Sequence, residues 1–143
     1  EWVPDGRRLV DLLAGTSRAE RVVLVEDDPA CLHLTRATLE SAGYEVEAYG
    51  EGQQALERLL REPRPQALVV DLRLPDLSGF ELLARISEEE SLADMPKIMF
   101  SAAELRHGEC LDFSLLDAFV AKTEGNLALL DTLRQHLPEK LSA

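Results

Sequence analysis

Residues 67–79 read ALVVDLRLPDLSG. Ala67 to Val70 have the composition of a strand buried on both faces, and the run stops on a carboxylate, Asp71. Pro75 and Gly79 follow at intervals of four and mark a loop that turns into the next element. A charged side chain at the mouth of an apolar strand has a natural place in an open parallel sheet, where functional groups gather at the carboxyl ends of the strands.

Outward from this stretch, apolar runs of strand length alternate with segments of helical period. Strands are predicted over residues 21–26 (RVVLVE), 44–49 (YEVEAY, alternating as an edge strand does), 67–71, 96–101 (PKIMFS) and 118–122. Helices are predicted over 29–42, 51–62, 80–90, about 103–110, and 126–137. Pro29 suits a first helical turn, where its missing N–H is not needed, and Gly43 suits a helix end. Leu130, Leu133 and Leu137 make an apolar stripe at helical spacing, as do Leu82, Leu83 and Ile86. Five strands alternating with five helices imply right-handed crossovers and a doubly wound parallel α/β sheet covered on both faces.

Residues 1–19 stand apart as an N-terminal helix and linker, and residues 20–143 form the α/β domain. Leu9, Val10, Leu12 and Leu13 suggest a short amphipathic helix that docks, dimerises or ends a preceding domain. The chain opens on Glu1 rather than Met, as a piece of a longer protein would.

The 143 residues, 45% of them hydrophobic, suffice for one domain with a real core. A net charge of −12 argues against direct nucleic-acid binding, which needs a basic footprint. No apolar run is long enough for membrane insertion, and no signal segment opens the chain, so a cytoplasmic location is expected. Cys31 and Cys110 lack metal or disulfide spacing and read as buried thiols, and His33, His107 and His136 are scattered.

Every polar group suited to chemistry falls at a strand end. Glu26 and Asp27 close the first strand, Asp71 the third, Ser101 the fourth and Lys122 the fifth. Each alone is more simply a helix-start charge, a cap or a strand-end cation. Their convergence on one rim carries the argument. Two carboxylates about 4 Å apart repel by roughly 4 kcal/mol at an effective dielectric near 20, so the cluster calls for a cation. Mg²⁺, with Mn²⁺ as a substitute, takes oxygen ligands and keeps waters for a phosphate. An Asp can then be the nucleophile of phosphoryl transfer while Lys122 neutralises charge.

These residues resemble the response-regulator receiver domains of two-component phosphorelay signalling, over residues 20–138. LVEDDP matches the acidic motif, VVDLRLPDLSG the phosphoacceptor motif, PKIMFSA the switch hydroxyl and FVAK the lysine motif. The 44 positions from Asp27 to Asp71 also fit. The resemblance implies a flavodoxin-like sheet of order 2-1-3-4-5. Asp71 would be phosphorylated by a histidine kinase or histidine phosphotransfer domain. The metal would sit on Asp27, Asp71 and the Arg73 backbone carbonyl, with Glu26 acting mostly through water. Ser101 and Phe119 would be the switch pair. They would reshape the surface of the helix over 103–110, the fifth strand and the last helix, to signal to an effector domain, a protein partner or a second copy in a homodimer. The domain would catalyse only its own phosphorylation and dephosphorylation.

Two departures stand out. Thr123 follows the lysine where the family has Pro, commonly after a cis bond, and cis before a non-proline residue costs roughly 3 kcal/mol. Either that strain is kept, or the bond is trans and Lys122 is displaced. SLLDAF also replaces the small residues usual before the fifth strand. The alternative function is therefore a degenerate receiver that binds partners without phosphorylation. A haloacid-dehalogenase-type enzyme would need Asp-x-Asp after the first strand. A flavin module would need a Gly/Ser/Thr-rich phosphate loop where this chain has acids.

Overall fold

The computed structural model describes residues 20–102 and 112–137. The N-terminal helix and linker, the helix predicted over 103–110, and His107 and Cys110 lie outside them.

The described elements run β1 (Arg21–Val25), α1 (Pro29–Ser41), β2 (Glu45–Tyr49), α2 (Gly52–Leu59), β3 (Ala67–Val70), α3 (Gly79–Ile86), β4 (Lys97–Ser101), β5 (Ala118–Ala121) and α4 (Asn126–His136). Short 3-10 turns occupy Glu90–Leu92, Phe113–Leu115 and Lys122–Glu124. All strand pairs are parallel and the order is β2-β1-β3-β4-β5, which makes β2 and β5 the edges.

Period-two alternation divides the strands between two cores. Val23 and Val25 of β1, Leu68 and Val70 of β3 and Met99 of β4 face α2 and α3, meeting Ala55, Leu59, Leu82, Leu83 and Ile86. Val22 and Leu24, Ala67 and Val69, and Ile98 and Phe100 face the other side, where Leu39 of α1 and Leu129, Leu130 and Leu133 of α4 close the layer. The apolar runs of β1, β3 and β4 are continuous because both faces of the central strands are covered.

The observed elements are a residue or more shorter than the predicted ones. Glu26 and Asp71 fall just past β1 and β3, yet their N–H groups still donate to Tyr49 and Val25 carbonyls at 2.9 and 3.0 Å. The helix predicted to Glu62 stops at Leu59, and the one predicted to Glu90 stops at Ile86.

At the opposite rim, Lys97 enters β4 buried. Its Nζ donates to the carbonyls of Leu92 and Met95, both at 2.8 Å, and its N–H to the Asp117 carboxylate at 2.8 Å. On the edge strand, Glu47 accepts two hydrogen bonds from the buried Arg58 of α2, at 2.8 and 3.0 Å. These bonds from Arg58 hold the Glu47 carboxyl below its usual range.

Candidate functional site

The carboxyl ends of β1, β3, β4 and β5 deliver one connected cluster. The Ser101 hydroxyl donates to Asp71 Oδ1 at 2.7 Å. Lys122 Nζ donates to Asp71 Oδ2 at 2.9 Å and to Glu26 Oε2 at 2.8 Å. Glu26, Asp71 and Ser101 are buried, the Lys122 side chain is 18% exposed, and Asp27 opens to solvent. Glu26, Asp27 and Asp71 each offer a carboxylate oxygen, all within 4.8 Å of one another. That oxygen-only acidic set suits a hard divalent cation.

One ammonium between two buried carboxylates divides their protonation. Burial raises the Glu26 carboxyl to about 7, its hydrogen bond with Asp71 adds to this, and Lys122 opposes both. Burial would raise Asp71 too, but hydrogen bonds from Glu26, Ser101 and Lys122 outweigh it and hold that carboxyl below its usual value. Lys122 is held above the usual lysine value: burial works the other way and the two carboxylates override it.

The loop after Asp71 is tied down at several places. Arg73 pairs with Ser78 in an isolated antiparallel bridge, and the Gly79 N–H donates to the Leu72 carbonyl at 2.8 Å. Ser78 caps α3 through the Glu81 N–H at 3.1 Å. Gly79 is required by close approach, since a Cβ there would collide with the Asp71 carbonyl oxygen. The Asp76 carboxylate reaches across to α2, accepting the Gly52 and Gln53 N–H groups, both at 2.8 Å. Sequence reasoning missed Asp76. Its one signal is that α2 begins at Glu51 and Gly52 without a side-chain cap of its own, which leaves its first N–H groups for an outside acceptor.

Lys122 departs from both expected geometries. The Lys122–Thr123 bond is trans, yet the lysine is not displaced and reaches both carboxylates. The strand ends at Ala121, and Lys122 opens a 3-10 turn whose direction carries its side chain into the cluster.

Asp27 and Asp28 follow Glu26 into the start of α1, where the Asp28 carboxylate accepts the Cys31 N–H at 3.1 Å as its cap. Cys31, predicted buried, is only half-buried at that helix start, and His33 and His136 are exposed. Phe119 sits on β5 opposite Met99 and is 38% exposed. Of the two switch candidates, Ser101 therefore joins the cluster and Phe119 stands outside it.

A family model described as the response regulator receiver domain matches residues 22–135. The chain is 28% identical over 123 residues to the polar-differentiation response regulator DivK of Brucella anthropi, covering 81% of this chain and 94% of that protein. Its fold is similar to the receiver domain of the sensor histidine kinase PA1611 from Pseudomonas aeruginosa PAO1, described with a magnesium ion coordinated in the active site cleft. The TM-score there is 0.74 at 28% identity, covering 82% of this chain and 96% of that one. The response regulator TrrA of Thermotoga maritima, described in complex with Mg²⁺-BeF, matches with a TM-score of 0.73 at 23% identity, over 82% and 99% of the two chains.

Proposed function

Because the chain belongs to the response regulator receiver domain family, we propose that it accepts a phosphoryl group on Asp71 from a histidine kinase or histidine phosphotransfer domain. The observation that carries this reading is the ionised Asp71 held between Ser101 and Lys122, within ligand distance of Glu26 and Asp27. An Asp71 carboxylate oxygen attacks phosphorus as the phosphorus–nitrogen bond of the donor phosphohistidine breaks, and the leaving imidazole keeps the electron pair. Lys122 is placed to neutralise a phosphoryl oxygen without moving far, since it already touches Asp71.

The residues fit a divalent cation. Asp27 and Asp71 would hold Mg²⁺, or Mn²⁺ in its place, with the Arg73 backbone carbonyl as a third ligand and Glu26 contributing through water. Bound there, the ion would offset the mutual repulsion of the carboxylates and the phosphoryl charge.

Signalling would follow from Ser101 leaving Asp71 for the phosphoryl group and Phe119 turning inward from its exposed place on β5. The surface of β5 and α4 would then change for an effector domain, a protein partner or a second copy. Among the described residues no helix is long and apolar enough to cross a membrane. A cytoplasmic location is part of the proposal.

The test is intact mass after incubation with Mg²⁺ and acetyl phosphate. One added phosphoryl group is expected, absent in Asp71→Asn and absent without the metal. No gain from acetyl phosphate or from a panel of histidine kinases would leave only a binding module.

A further inference from the structure

The geometry points to Glu124 as a positioning residue for Lys122: its carboxylate closes the turn from which the lysine reaches Asp71 and Glu26. Lys122 starts a three-residue 3-10 turn, Lys122–Glu124, which ends on a bond from the Gly125 N–H to the Lys122 carbonyl at 3.0 Å. Such short turns have poor hydrogen-bond geometry and little stiffness of their own. Here a side-chain bond ties down the other side. Glu124 Oε2 accepts the N–H of Ala121 at 2.9 Å.

That N–H is available because β5 is the outer strand of the sheet. Ala121 is its last residue, registered with Ser101, and among the described residues no further strand takes the N–H. The carboxylate therefore reaches back three residues and ties the turn to the last sheet residue before the lysine. Gly125, at φ 93°, a conformation that favours glycine, then turns the chain into α4. The lysine backbone is thus fixed on both flanks.

The consequence lies at the far end of the side chain. Lys122 projects four methylenes from this turn, so a small rotation of its backbone becomes a large displacement of Nζ. Its two acceptors, at 2.8 and 2.9 Å on separate strands, tolerate little displacement. Glu124 is exposed and reaches neither carboxylate, so it acts through the lysine.

The effect on phosphorylation rests on the reading of Asp71 given above, while the effect on the order of the lysine does not. In the full chain, Glu124→Ala is compared with Glu124→Gln, which keeps the accepting oxygen and loses the charge. Three measurements are made: amide exchange of Ala121, the ¹H–¹⁵N signal of the Lys122 ammonium, and the rate of phosphorylation by acetyl phosphate with Mg²⁺ affinity followed by calorimetry. Glu124→Ala should speed Ala121 exchange about threefold or more and broaden the ammonium signal. It should also slow phosphorylation about three- to tenfold at unchanged Mg²⁺ affinity. Glu124→Gln should restore all three. An Ala121 amide and a Lys122 signal in Glu124→Ala that match the unmodified chain would overturn the proposal. So would failure of Glu124→Gln to restore them, because the effect would then be one of charge. Should the unmodified chain accept no phosphoryl group, the acceptor reading fails and the two resonance measurements still decide on Glu124.

Discussion

Lys97 and Lys122 are two lysines at opposite rims of one sheet, and each buries much of its length. Lys97, at the entry of β4, spends its ammonium on the backbone carbonyls of Leu92 and Met95. Lys122, just past β5, spends its own on the carboxylates of Glu26 and Asp71. Burial lowers Lys97 from the ordinary value of 10.5, with only the longer-range pull of Asp117 and Asp94 against it. At Lys122 the two carboxylates reverse that direction. The difference teaches what each rim is for. Neutral acceptors hold a strap in place, whereas charged acceptors with one shared cation make a site whose charge is ready to be rearranged.

The largest expected effect separates the two rims by function. Lys122→Met should slow phosphorylation by acetyl phosphate about 100-fold, the size expected for losing a group aimed at developing charge. Lys97→Met should leave the rate within about twofold, and comparable slowing in both variants would break the contrast. The next effect is on folding. Lys97→Met leaves the Leu92 and Met95 carbonyls without their ammonium donor and should cost about 1–2 kcal/mol in urea denaturation.

Asp76→Ala sharpens the comparison at the carboxyl rim, since it removes the outside cap of α2 without touching the cluster. A loss of about 1 kcal/mol in the thermal or urea transition is expected, with phosphorylation slowed less than in Lys122→Met. The smallest effect is one of sign. Lys97, held below 10.5, costs stability that is recovered as the pH rises from its folded value towards 10.5. Lys122, held above it, contributes stability that is complete below 10.5 and lost as the pH climbs through its folded value. The unmodified chain should therefore gain on Lys97→Met as the pH rises towards 10.5, read as the difference between their urea midpoints. A gap that narrows over that range would mean that Lys97 is not held below its ordinary value.

Much of this was legible in the sequence because the signals are local. The apolar runs of β1, β3 and β4 and the Leu stripes of α3 and α4 are periodic patterns that burial imposes directly. The five strand-end groups were legible because parallel topology sends all strand ends to one rim. The strand order came from the resemblance, since nothing in an apolar run says which neighbour it pairs with. Lys97 was read only as part of a strand, because its two acceptors are backbone carbonyls that carry no residue-type signature. Asp76 was missed for a related reason: its partners lie 24 and 23 residues upstream. The turn at Lys122–Glu124 was misjudged because Thr123 was weighed against proline alone, without the carboxylate one position later that closes the turn by another route.

The close seat of Gly79 against the Asp71 carbonyl bears on any attempt to transplant this chemistry. With no clearance for even a methyl group between them, the first turn of α3 and the backbone of Asp71 form one rigid joint. A graft that carries the loop but leaves the helix behind would lose the wall that sets its shape, so residues 71 to 86 have to move together.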